Sequence, residues 1–141
     1  MTRHGAGLTA LGLGLLTLIG LVGPVPAQRM APPGGAYRKV SELTALPEFL
    51  PGLGTLYVEP TRLPKGPYLG YDRQGRLVNT VHMIPLKDFQ AHERFEAPEP
   101  ATGLAVDHVD MLYNAGHPGL PEPHYEVILW YIPKTQANAL R

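Results

Sequence analysis

The sequence predicts a mainly β domain, with α+β as the variant: an antiparallel sheet, barrel-like or curled, carrying one short helix. Gly and Pro number 16 each in 141 residues, a Pro share roughly double the usual one, which interrupts helices before they lengthen. β-Forming residues gather into short runs bounded by turn residues. No internal repeat of the solenoid or propeller kind is visible, and the length suits one domain.

The first 27 residues form a separate unit. Arg3 and His4 precede an apolar run from Leu8 to Val22, and Val25-Pro26-Ala27 follows, the order of a secretory signal with its cleavage site. An uncleaved anchor is the alternative, because Gly5 to Val25 offers about 20 residues, enough to span. The repeated Gly residues and Pro24 favour removal. Residues 28–46, with Ala31-Pro32-Pro33-Gly34-Gly35, read as a flexible leader, in which Ser41 caps a helical turn or sits in an irregular loop. The domain proper is expected over 47–141.

Within it, Thr55 to Glu59 reads as a strand ended by Pro60. Tyr68 to Tyr71 and Leu77 to Ile84 flank Asp72-Arg73-Gln74-Gly75, a hairpin with Gly where positive φ is needed. Pro85 opens the expected helix, which runs to about Glu96 with Asp88 near its positive end. Residues Ala97 to Gly103 read as loop. Ala105 to Tyr113 and His124 to Ile132 read as an antiparallel pair joined by the Gly- and Pro-rich segment 114–123.

Composition excludes several functions. Lys and Arg total 12 against 12 Asp and Glu, so the clustered positive charge of a nucleic-acid footprint is missing, and so is a polybasic membrane patch. Cys is absent, which removes disulfides, thiolate metal sites and cysteine nucleophiles. Ser41 is the single Ser and lacks a Gly-x-Ser-x-Gly setting. No phosphate-binding Gly loop is present.

Strand alternation places the remaining chemistry. His108 and Asp110 share a face of the penultimate strand, and His124 and Glu126 share a face of the last one, with His117 in the loop between them. His and carboxylate together suit a divalent metal such as Zn²⁺, although His-x-Asp on a strand has no single mechanism attached to it. Hydrogen bonding at a sheet edge is the commoner use of such residues. His82 and His92 read as surface or local contacts. The aromatic residues, Tyr57, Tyr113 and Trp130 among them, line an apolar pocket or, more commonly, fill a core or interface.

Leu50-Pro51-Gly52-Leu53-Gly54-Thr55-Leu56-Tyr57-Val58-Glu59-Pro60, then Leu63-Pro64-Lys65-Gly66-Pro67, and then His108-Val109-Asp110, Gly116-His117-Pro118 and Pro123-His124-Tyr125 resemble a family of small exported bacterial proteins of unassigned activity. The family is typified by a member from an extreme thermophile under extracytoplasmic sigma/anti-sigma control. Many relatives carry His at the positions of Leu56 and Ile128, so a four-histidine site would be incomplete in this chain. The expectation is an exported, periplasmic or extracellular, non-enzymatic envelope domain. It would act by binding or homo-oligomeric assembly and, as the resemblance implies, under envelope-stress control. It would bind no nucleic acid and keep no stable membrane anchor after cleavage. The alternatives are a metal-dependent hydrolase or lyase using the His and carboxylate residues, and a carrier of a small apolar ligand.

Overall fold

Six β-forming runs build one antiparallel sheet in the order β1-β2-β3-β4-β6-β5: β1 Arg38–Lys39, β2 Thr55–Val58, β3 Tyr68–Tyr71, β4 Leu77–Pro85, β5 His108–Asn114 and β6 His124–Trp130. The computed structural model describes residues 29–96 and 103–140. The expected export segment, and all but the last residue of the expected loop from Ala97 to Gly103, lie outside them. The sheet is open and not a barrel, because β5 pairs only with β6 and the two-residue β1 pairs only with β2.

The hairpin between β3 and β4 forms where the sequence places it. Asp72 holds the turn: its Oδ1 accepts the backbone N–H groups of Gln74 and Arg76, each at 2.9 Å. Its Oδ2 takes the Arg76 guanidinium at 2.8 Å. Gly75 has φ 75°, a conformation that costs other residues energy.

Three short helices are present where one was expected: α1 Val40–Leu43, α2 Leu86–Gln90 and α3 Lys134–Ala137. Ser41 does not cap α1, which starts one residue earlier with Lys39 at the cap position and is held by the burial of Val40. The second helix stops well short of Glu96, with His92 at φ 56° just beyond it. Asp88 pairs there with Lys65 at 2.7 Å. The third helix follows Pro133 and buries Ala137.

Alternation on β6 divides the molecule into two layers, with His124, Glu126, Ile128 and Trp130 buried and their neighbours half-buried. The first face carries the main core of Val58, Tyr68, Val81, Met83, Ile128 and Trp130, closed by Val40, Leu120 and Ala137 from the covering segments. Asn79, fully buried, donates from Nδ2 to the Leu53 carbonyl at 2.8 Å and ties residues 44–54 over this face. The second face holds a smaller cluster of Leu69, Tyr71 and Leu77 with Tyr37, Tyr57 and Tyr131. Residues 29–46 are therefore part of the domain and not a loose leader: Ala31 and Tyr37 pack on one face, Val40 and Leu46 on the other. Those four side chains follow no period, and Met30 and Leu43 of the same segment stay exposed. Among the described residues no helix is long and apolar enough to cross a membrane.

Candidate functional site

The register of β5 on β6 splits the five predicted site residues into two groups. Asn114 lies opposite His124 and Leu112 opposite Glu126, whereas Asp110 lies opposite Ile128 and His108 opposite Trp130. His124 and Glu126 therefore meet the loop at one end of the strand pair. His108 and Asp110 lie towards the other.

His124 is fully buried, between Pro85 of β4 and Asn114 of β5. Its Nδ1 lies 2.7 Å from the Glu122 carbonyl oxygen. A carbonyl only accepts, so Nδ1 carries a proton, and in the neutral form of the ring the lone pair is on Nε2. That atom has no hydrogen-bond partner and sits 3.8 Å from Glu126 Oε1.

His117 arrives from the loop by a tight turn. His117 and Leu120 exchange two backbone hydrogen bonds, each of 3.0 Å, around Pro118 and Gly119. Gly119 has φ 94°, the position of a turn that demands Gly, and a Cβ there would stand 2.9 Å from Thr44 Cγ2. Buried Leu120 anchors the turn in the main core. His117 Nδ1 is 2.8 Å from the Pro118 carbonyl, which fixes the same tautomer. Its Nε2 is 4.0 Å from Glu126 Oε1. The two imidazoles meet edge to face with centroids 4.9 Å apart. Asn114 completes the group: its Nδ2 donates to Glu126 Oε1 at 2.9 Å while its Oδ1 accepts the Gly116 N–H at 2.9 Å, coupling the loop to the carboxylate.

One ligand atom from each of His117, His124 and Glu126 lies within 4.8 Å of the others. Ligands around a tetrahedral Zn²⁺ stand about 3.3 Å apart, so holding an ion takes side-chain rotations that close the two His-to-carboxylate gaps of 3.8 and 4.0 Å by about half an ångström or slightly more and the widest gap by up to about 1.5 Å. Two neutral imidazoles and a carboxylate suit a divalent ion of the Zn²⁺ class, with at least one coordination position left open. Backbone carbonyls on the far ring nitrogens are the usual outer partners of such ligands.

At the other end His108 stacks on Trp130, with rings 5.8 Å apart and 15° from parallel, and its Nδ1 meets Asp107 at 2.8 Å. The Asp110 carboxylate is already engaged. It accepts the Trp130 indole N–H at 3.0 Å and has Lys134 Nζ at 3.5 Å. His108 Nε2 also lacks a hydrogen bond, at 3.8 Å from Asp110 Oδ2. It is one imidazole between two carboxylates, Asp107 and Asp110, the second of which already pairs with an ammonium group.

A cavity of about 280 Å³ adjoins the first group. Its wall is apolar, with Val40, Leu46, Leu56 and Met83 prominent, except where Asn114, His117, Glu126 and Thr44 reach it. Tyr68 also lines it. Its hydroxyl donates to the Pro64 carbonyl at 2.6 Å, and burial raises its pKa to about 12, so it stays a neutral phenol.

The predicted aromatic trio lines no common pocket. Tyr57 packs edge-on against Tyr71 at 5.5 Å in the second-face cluster. Tyr113 is exposed beside Tyr125, and Trp130 lies in the main core. Sequence reading missed Asn114, although counting two residues on from Leu112 puts it on the ligand face. It also gave His82 surface or local contacts. His82 is in fact buried, against Phe95 at 5.6 Å.

No protein-family model and no curated protein matches the chain. Among solved structures it is similar to the crystal structure of hypothetical protein TTHB210 from Thermus thermophilus, with 43% identity, coverage of 67% of this chain and 92% of that one, and a TM-score of 0.61. At that identity over nearly the whole of the other protein's length, the chain belongs to the same family as hypothetical protein TTHB210.

Proposed function

We propose that the chain is an exported binding domain whose working site is His117, His124 and Glu126, holding one divalent cation of the Zn²⁺ class. One observation carries this reading. Both imidazoles commit Nδ1 to a backbone carbonyl and turn Nε2 towards the same carboxylate oxygen, and the His124 nitrogen is buried with no partner. A buried polar atom left without a partner costs about 1–3 kcal/mol, which a bound cation would offset. Export rests on the pattern of residues 1–27, and envelope-stress control on the sequence resemblance.

Binding is favoured over metal-assisted hydrolysis by the cavity wall. Among the described residues lining it, the titratable side chains are Tyr68, His117 and Glu126. The last two are the proposed ligands, which leaves no separate general base. Equilibrium dialysis against Zn²⁺ followed by metal analysis tests the reading. One ion per chain is expected, and protein that retains none at micromolar free Zn²⁺ would refute it.

Homo-oligomeric assembly is a second mode of action, favoured by a different surface. Val109, Met111 and Tyr113, on the second face of the edge strand β5, are exposed by 55%, 54% and 58%, a grouping of apolar surface typical of contact sites. Light scattering should find a discrete oligomer at micromolar concentration. A monomer would remove this mode and leave the cation site untouched.

A further inference from the structure

We infer that the cation-loaded site takes a small amphiphile, a straight-chain carboxylate of medium length, with its head on the ion and its chain in the adjoining cavity. The inference rests on the cation reading above and adds the ligand class.

The head group follows from charge. A divalent ion held by two neutral imidazoles and one carboxylate keeps a net positive charge and an open position. Of the three ligands, His117 and Glu126 line the cavity, whereas His124 closes the site from behind. The exposed side of the ion would therefore face the cavity and attract an anionic oxygen donor. Without the ion the relation reverses, because Glu126 would present a bare carboxylate to an incoming anion. Binding is thus coupled to the metal.

The body follows from shape and lining. Val40, Leu46, Leu56, Met83 and the ring of Tyr68 offer few hydrogen-bonding groups beyond the polar end, so the remainder of the ligand is hydrocarbon. A cavity of roughly 150 Å³ holds benzene. By the same measure, about 280 Å³ has room for roughly ten carbon atoms. Each buried methylene should tighten binding about four-fold until the cavity is filled.

Isothermal titration of the protein with octanoate, with and without one equivalent of Zn²⁺, tests this. Octanoate should bind the Zn²⁺-loaded protein at least ten-fold more tightly than the metal-free protein and more tightly than 1-octanol. Affinity should rise about four-fold per methylene from butanoate and level off near decanoate. Leu63 lies at the edge of the cavity and is 38% exposed, so Leu63→Trp adds bulk there with little burden on the core. That variant should keep its Zn²⁺ and lose octanoate binding at least ten-fold. Zn²⁺ binding with no octanoate binding, or with equal binding in the absence of Zn²⁺, would overturn this inference and leave the cation reading standing. Failure to bind Zn²⁺ would overturn both.

Discussion

The two ends of the β5–β6 pair use nearly the same residue types and build different things. Each carries a His two residues before a carboxylate, and each has a buried imidazole nitrogen without a hydrogen bond. At the far end His108 lies flat on Trp130 and Asp110 is occupied by an indole and an ammonium group. At the near end a second imidazole arrives on a tight turn and faces the same oxygen as the first. Local spacing is therefore a poor guide to chemistry. What distinguishes a ligand set from a packed pair is a third donor supplied from a distant loop and, among the described residues, the lack of a Lys or Arg ion pair on Glu126.

Substitutions at the two ends should separate along those lines. Trp130→Ala removes a buried aromatic and leaves Asp110 without its indole donor, so it should cost about 3–5 kcal/mol in denaturant unfolding. A loss below about 1 kcal/mol would mean the His108 end is not a packing unit. His117→Ala should leave unfolding nearly unchanged but weaken Zn²⁺ binding by more than about 100-fold, since loss of outer partners alone costs 10–100-fold. His108→Ala should leave Zn²⁺ affinity within about two-fold of wild type, because an ammonium group sits beside its carboxylate. Equal losses at both ends would erase the distinction.

Asn114→Ala gives a smaller effect. It removes the amide that orients Glu126 and joins it to the loop, and should reduce Zn²⁺ affinity about ten-fold while leaving stoichiometry at one. The smallest effect belongs to His82, a buried imidazole on the opposite face. Burial lowers its pKa below the ordinary 6.5, so the unfolded chain takes up the proton first. Its contribution to stability is whole above about pH 6.5 and is lost as the pH falls below that value. His82→Leu should therefore flatten the decline in stability between about pH 7 and about pH 5. An unchanged slope would assign that decline to other groups.

Much of the fold is legible in the sequence because it depends on local signals. Asp72 to Gly75 mark a turn, and the alternation on β6 names its buried face. Helix number was less legible. The third helix is a single turn stabilised by the burial of Ala137 against distant strands, which no local period announces. Closure of the sheet was not legible either, because strand count and composition are alike in open and closed sheets, and only the pairing of β1 and β5 decides it. At the site, face assignment was readable from alternation, but the register was not. Sliding His108 beside His124 or opposite Trp130 leaves the same residues on the same face. The approach of His117 to Glu126 depends on the nine-residue loop between β5 and β6, whose path is set by the burial of Leu120.

The central claim is that His117, His124 and Glu126 converge on one cation. Zn K-edge X-ray absorption of protein loaded with one equivalent of Zn²⁺ tests it most directly. The expected spectrum has nitrogen and oxygen donors at about 2.0–2.1 Å with outer scattering from two imidazole rings, falling to one ring in His117→Ala and unchanged in His108→Ala. A spectrum of hydrated Zn²⁺, or one that keeps two rings in His117→Ala, would contradict the account.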